Sequence, residues 1–549
     1  MTAASVTGIP DVGDGGALRG TGTLLRFMLR RDRIRLPVWL IGISIFVPYF
    51  FSAYQELFPT QEDLTQVAGF ASGPMLGLLG GPGYGMAPEQ LSYFTFFAGL
   101  YLLYILLAAA LLNILLVSRH TRVEEQTGRA ELIRANAVGA HAPLAATTIL
   151  AVGANLVLTV LILAGLRAFD APMAGATAVA AGVGAFGLVF AGVSITAAQI
   201  SEYSRVSSAI AGGILGGAFV LRAAGDMIGE HGSALSWITP FAWSQQTRAF
   251  ADERWWPLGI SVVVAVVLIG TGFVLSTRRD LGGGLRATRG GRAEAHPWLS
   301  SSPALAWRLH RGSVRGWAAG LVAGGLVYGA TAQPVVDSFS GLDSAVTELW
   351  TSGAQDVLAG YLNMMVILMV ITTGVFVVLA VRRVRDEEQS GRAEPVLATA
   401  VGRPAWLAGH LLVTAVAAVG VLVLSGVGIG VAAAVGTGEW RLLGRSVLAA
   451  LLYSPAMLVI LGVAAAGYGL HRRLLAVASI LLVFSGLTAL FGEMLQLPDW
   501  AMAISPWHHT PAYPVESVTA GPLLVQALVV AVLTGLGIWA FGRRDLASN

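Results

Sequence analysis

The chain has no cysteine and no lysine, and only 12% of its 549 residues carry charge. Without cysteine it can form neither a disulfide nor a thiolate metal site. Without lysine it cannot hold a P-loop, whose lysine must reach the nucleotide phosphates, so ATP-driven work needs an ATPase on another chain. The scarcity of charge excludes a water-soluble fold, in which about a quarter of residues are charged. What is abundant is apolar: 55% of residues are hydrophobic, and the mean hydropathy is +0.71.

A bilayer core of about 30 Å needs roughly 20 apolar residues per helix. Runs of that kind fall at residues 35–54, 91–117, 143–166, 174–199, 207–226 and 258–277, then at 317–334, 357–381, 405–435, 446–470, 474–493 and 523–541. The expected fold class is therefore all-α: a polytopic membrane protein of about twelve transmembrane helices. All 34 basic residues are arginine, which together with abundant Ala, Gly and Val is the composition of a GC-rich bacterial genome such as an actinobacterium's. The first 22 residues lack the apolar core of a secretory signal, so both termini are expected in the cytoplasm, with the chain in the bacterial cytoplasmic (inner) membrane. Arginine partition agrees, because basic residues gather at the cytoplasmic ends of helices. On this topology Arg167, Arg222, Arg248, Arg254, Arg441 and Arg445 fall outside, and the remaining 28 fall inside.

The chain repeats itself. Glu124 to Glu131 reads EEQTGRAE and Glu387 to Glu394 reads EEQSGRAE, each directly after a long apolar run. Pro257-Leu258 answers Pro522-Leu523, Arg278-Arg279-Asp280-Leu281 answers Arg543-Arg544-Asp545-Leu546, and Ile238-Thr239-Pro240 answers Ile504-Ser505-Pro506. An offset that stays between 263 and 266 residues over such distances marks a tandem duplication. Six spans per copy is an even number, so the copies are expected to be parallel, related by an axis along the membrane normal, with a central pathway between them. The domains read as 1–34, a cytoplasmic segment with an interfacial helix; 35–280, the first six-span repeat; 281–316, a Gly-rich basic linker and a second interfacial helix; and 317–549, the second repeat. The first repeat alone carries a Gly/Pro-rich loop, Gly73 to Glu89.

The repeated EEQ[TS]GRAE element is the most informative motif. Read as helix, it sets Glu125 against Arg129 and Glu388 against Arg392 at i,i+4, worth only about 0.2–0.5 kcal/mol each. Gly128 and Gly391 sit mid-element, where glycine costs a helix about 1 kcal/mol relative to alanine, which suggests a tight turn or close backbone approach. Recurrence at matched positions points to partner docking.

At these residues the sequence resembles the membrane subunits of ATP-binding-cassette exporters of the type-2 permease class, in the fused twelve-span actinobacterial form similar to polyketide-antibiotic and multidrug efflux permeases. There the loop after the second span carries a short acidic element with a glycine, which acts as a coupling helix in a cleft of the ATPase. The resemblance implies coupling roles for Glu124, Glu125, Gly128, Arg129 and Glu131, and for Glu387, Glu388, Gly391, Arg392 and Glu394. It implies two copies of a cytoplasmic ATPase subunit as partners, with ATP and Mg2+ held there and no cofactor or metal in this chain. Membrane lipids and a hydrophobic or amphipathic small molecule are the other expected partners, and no nucleic acid. The basic segments Leu25 to Arg35 and Leu305 to Arg315 match each other and correspond to the family's interfacial helices, or else are positive-inside anchors. The chain itself would perform no covalent chemistry.

An ion-coupled secondary transporter is the alternative. Such carriers place ionisable residues within the membrane, and the middles of these spans lack Asp, Glu and His. Arg222 and Asp226 are spaced to pair at i,i+4 near an outer helix end, and Glu493 is the repeat counterpart of Asp226 at such an end. Candidate substrate-path residues are Phe96, Phe97, Tyr101, Tyr104 and Asn113 in the second span and Asn363, Met364 and Met365 in the eighth, since aromatics and methionine make adaptable apolar surfaces; interhelical packing explains the same residues. Adjacent His508 and His509 cannot share a helix face, which favours a lid or loop over a zinc site. Trp237, Trp243, Trp255, Trp256, Trp500 and Trp507 read as an interfacial belt.

Overall fold

A computed structural model describes residues 16–70, 76–77, 80–135, 138–229, 231–280, 282–285, 294–334, 357–491 and 497–545. The chain divides into two compact units, Met1–Gly290 and Gly291–Asn549. Among the described residues all regular structure is helical.

In the first unit α1 (Thr21–Arg31) precedes α2 (Arg35–Ser44) and α3 (Phe46–Leu57), which together form the first span. The break between α2 and α3 lies one turn before Pro48, which supplies no N–H to the carbonyl of Ser44. The second span, Tyr93–Gln126, passes through a π-helical segment, Phe97–Tyr101, into α4 (Leu102–His120) and α5 (Arg122–Gln126). After α6 (Arg129–Arg134) come α7 (Ala142–Arg167), α8 (Met173–Ile200), α9 (Ser204–Ile228) and α10 (Trp256–Ser276). The second unit holds α11 (Ser302–Ala330), α12 (Val357–Gln389), α13 (Glu394–Leu397), α14 (Arg403–Thr437), α15 (Arg441–Leu470), α16 (Leu475–Phe491) and α17 (Ala520–Arg543). Proline in the first turn starts α7, α10, α11 and α14, where its missing N–H has no intrahelical partner to lose.

Among the described residues helices stand at all twelve places where the sequence has apolar runs, and ten of them are long and apolar enough to cross a membrane. The chain is thus a multi-pass membrane protein. Two of the twelve fall short. The 17-residue α16 is the shorter. In α11 the basic segment Leu305 to Arg315 and the apolar run beyond it are one continuous 29-residue helix, so the division drawn at 316/317 lies inside a helix. Only the first basic segment makes a separate helix, α1, with Leu24 and Met28 buried and Phe27 and Leu29 exposed.

Small residues set the helix packing, as they must where lipid leaves little hydrophobic gain between helices. In the first unit α8 and α10 meet at Gly192 and Gly272, where an added Cβ would press on Leu268 and Ile195. In the second unit α15 and α17 meet at Gly469 and Gly537, backbone against backbone. The fourth and sixth long helices of each unit are therefore locked as a pair.

Candidate functional site

The two EEQ[TS]GRAE elements adopt the same turn. Gly128 and Gly391 take left-handed φ values of 71° and 70°, which close α5 and α12 and start α6 and α13. That turn corrects the expected i,i+4 pairing, because no helix continues through it. Arg129 lies 3.7 Å from Glu124 instead of on Glu125, and Arg392 grips Glu387 through Nε and Nη2 at 2.8 and 3.1 Å instead of Glu388. The contact with Glu387 holds the Arg392 guanidinium above its ordinary pKa.

The second glutamate of each element reaches elsewhere. Glu125 accepts from Arg279 at 2.6 and 2.9 Å and from Arg122 at 2.8 Å, and Arg279 also donates to the Gln199 side chain at 2.7 Å. Glu388 accepts from Arg544 at 2.6 Å and from the Tyr468 hydroxyl at 2.5 Å, while the Arg544 guanidinium lies over the Tyr468 ring at 4.8 Å. Arg279 and Arg544 belong to the repeated Arg-Arg-Asp-Leu motif just past α10 and α17; Gln199 and Tyr468 stand near the ends of α8 and α15. Sequence reasoning saw the Arg-Arg-Asp-Leu copies only as repeat markers and missed all four, together with Arg122. Repetition of Arg279 and Arg544 was the available signal; Gln199 and Tyr468 offered none.

These contacts remove most of the acidic charge from the surface. Glu124, Glu387 and Glu388 are buried; Glu124 hydrogen-bonds Arg31 of α1, and Asp32 at the end of α1 pairs with Arg119 at 2.9 Å and His120 at 2.6 Å. What each turn exposes is the other side: Thr127, Arg129, Glu131 and Leu132 in the first unit, and Ser390, Arg392, Glu394 and Pro395 in the second. Leu132 is 70% exposed, unusual for a leucine beside a charged turn. Beneath the first turn lies a cavity of about 80 Å³ lined by residues that include Met28, Arg31, Glu124, Pro143 and Ser276. In the second unit the positions of Pro143 and Ser276 are taken by Trp406 and Phe541, whose rings stack at 5.7 Å.

The substrate-path candidates separate by environment. Phe96 and Phe97 are fully buried in a cluster with Phe50, Phe51 and Tyr54. Tyr101, at the end of the π-helical segment, hydrogen-bonds Tyr54. Asn113 exchanges side-chain hydrogen bonds with Asn155 of α7 at 3.1 and 2.8 Å, and Asn363 accepts from Tyr453 of α15 at 3.1 Å. Met365 is buried and Met364 half-buried. Tyr104 is 44% exposed and lines an open apolar groove of about 350 Å³ with Trp39, Phe46 and neighbours.

At the far end of the first unit Arg222 and Asp226 pair at 3.4 Å, both buried. Arg222 also donates to the carbonyls of Gly77 and Gly80 at 3.0 and 2.9 Å, fixing part of the Gly/Pro-rich loop to α9, and Asp226 accepts from Ser236 at 2.5 Å. The counterpart of Asp226, Glu493, lies outside the described residues. Short helices precede each final span, Ala234–Trp237 and Pro240–Gln245 in the first unit, Asp499–Met502 and Pro506–His509 in the second; the last holds His508 and His509, both exposed.

A multi-pass all-helical chain with two like turns, each pinned by buried ion pairs, has the organisation of a membrane transport subunit. The family model of the multidrug efflux system permease Rv1217c, C-terminal domain, matches residues 22–275 and 299–542. The chain is also 35% identical over 539 residues to the multidrug efflux system permease protein Rv1217c of Mycobacterium tuberculosis (strain ATCC 25618 / H37Rv), covering 97% of this chain and 96% of that protein. It belongs to this family of multidrug efflux permeases, and is a transport subunit rather than a catalytic enzyme.

Proposed function

We propose that the chain is the membrane permease of an ATP-driven exporter, working in the bacterial cytoplasmic membrane with both termini inside and with two copies of a separate cytoplasmic ATPase. Its cargo would be hydrophobic or amphipathic small molecules, drugs or polyketide-like metabolites. The observation that carries this reading is the pair of like turns. Each is braced from behind by buried ion pairs and presents a compact outward face, Arg129, Glu131 and Leu132 in one and Arg392, Glu394 and Pro395 in the other. A braced face is what transmission of force needs, since a loosely held loop would absorb the motion it received. ATP and Mg2+ would be held by the partner, in keeping with the absence of lysine here.

For the cargo, Tyr104 and its apolar groove offer the most accessible of the candidate surfaces, whereas Phe96, Phe97 and Asn113 are engaged in packing. The test is reconstitution of the permease with its candidate ATPase in vesicles loaded with a fluorescent amphipathic dye. ATP-dependent efflux should vanish in the double variant Glu131→Arg/Glu394→Arg, and the ATPase should no longer co-purify with it. Dye efflux by the permease alone under a proton gradient, unaltered in that variant, would overturn the reading in favour of ion coupling.

A further inference from the structure

Each turn is tied by one charge pair to a point about 155 residues further along the chain. In both units that point is the second arginine of the Arg-Arg-Asp-Leu motif at the end of the final helix, Arg279 or Arg544. The chemistry around the two pairs has diverged: a second arginine and a glutamine support one, a tyrosine hydroxyl and an aromatic face the other. The Glu–Arg pair itself is what both copies retain.

We propose that Arg279 and Arg544 are positioning residues that clamp each docking turn to the tip of its unit's last helix, so that turn and helix move as one body through the transport cycle. This rests on the reading that the turns dock an ATPase. Burial makes the clamp stiff. Side-chain exposure is 9% and 10% for Arg279 and Glu125, and 17% and 4% for Arg544 and Glu388, so parting either pair costs a buried charge one of its charged partners. The clamp also has something rigid to pull on. The final helix of each unit packs at glycines against the fourth, at Gly192 and Gly272 or at Gly469 and Gly537, and Gln199 and Tyr468 extend the clamp onto that fourth helix. A displacement at the turn therefore reaches two spans together.

The lack of native cysteine makes the test clean. Spin labels at Thr127→Cys with Asp280→Cys, and at Ser390→Cys with Asp545→Cys, report the turn-to-tip distance in each unit of the full chain in nanodiscs. The clamp predicts one narrow distance per unit, unchanged when the ATPase and a non-hydrolysable ATP analogue are added. Arg279→Gln should broaden the first distance only and Arg544→Gln the second only. In both variants the ATPase should still co-purify while dye efflux falls about tenfold, an ordinary coupling free energy, and Arg→Lys at either site should restore both readouts. Where a Gln variant misfolds, the unsubstituted labelled chain still decides the matter. A turn-to-tip distance that changes when the ATPase binds the ATP analogue overturns the clamp. So does a broadened distance with undiminished efflux, which would make the pair a structural staple. Failure of the unsubstituted chain to bind any ATPase defeats the docking reading instead, and the distance widths of the permease alone are unaffected by that failure.

Discussion

The two units solve one problem with different materials. Beneath the first turn, Glu125 is shared by Arg122 and Arg279, with Gln199 alongside and a cavity next to them. Beneath the second, Glu388 has Arg544 and Tyr468, and the space is filled by Trp406, Phe541 and Tyr468, with Phe541 5.5 Å from Tyr468. Redundant charge supports the first clamp; aromatic packing supports the second. Duplication followed by divergence has left equal geometry with unequal vulnerability.

That contrast is sharpest if one arginine is removed at a time. Arg544→Gln leaves Glu388 buried with no cation, a loss of about 3–5 kcal/mol, whereas after Arg279→Gln the carboxylate of Glu125 keeps Arg122 and the loss is expected near 1–2 kcal/mol, one charge-assisted hydrogen bond. Thermal unfolding of the two single variants in detergent measures the gap, and equal destabilisation would erase the comparison. Next in size, Phe541→Ala should cost roughly 3 kcal/mol by opening a cavity, while the matched Ser276→Ala is nearly silent. The turns themselves should not distinguish the units. Gly128→Val and Gly391→Val each force a β-branched residue into a left-handed conformation, at about 1–2 kcal/mol, and should impair ATPase co-purification to the same degree.

A further test is a pH dependence in the second unit. His310, in the basic part of α11 ahead of its apolar run, is buried against His410 at 3.3 Å. Burial, reinforced by the charge of Arg383 and opposed by that of Glu387, pushes its pKa down from 6.5 to about 4. A base with a lowered folded pKa takes up its proton more readily when unfolded, so its contribution is complete above about 6.5 and is lost as pH falls toward 4. Stability should decline over that window, and less so in His310→Leu; an identical decline in the variant would remove His310 as its source.

The helices were legible from the sequence because apolar runs of this length admit few other outcomes in a bilayer. The turns were legible too, since Gly128 and Gly391 sit where a helix does not want glycine. What a local reading could not supply was the partner of each charge. Periodicity compares residues three or four apart, which paired Glu125 with Arg129 and Glu388 with Arg392. Arg122, three residues before Glu125, lay within that reach, but the partners common to both units, Arg279 and Arg544, lie 154 and 156 residues away. The repeat carried that information, because two motifs duplicated together are candidates to touch. The continuity of α11 was missed for another reason: its arginines mark the membrane boundary, and a helix crosses that boundary without interruption.

The Arg222 anchor has a consequence for how this protein can change over generations. Its guanidinium holds the carbonyls of Gly77 and Gly80, groups that every residue type carries. The tether recognises the course of the chain, not its side chains. A side chain is excluded at those two glycines, where a Cβ would run into the backbone of Asp226 and of Gly99–Leu100. Gly83 and Gly85 are held to glycine as well, by left-handed φ values of 70° and 69°, so the freedom to change without loosening the mooring belongs to the loop positions that already carry side chains.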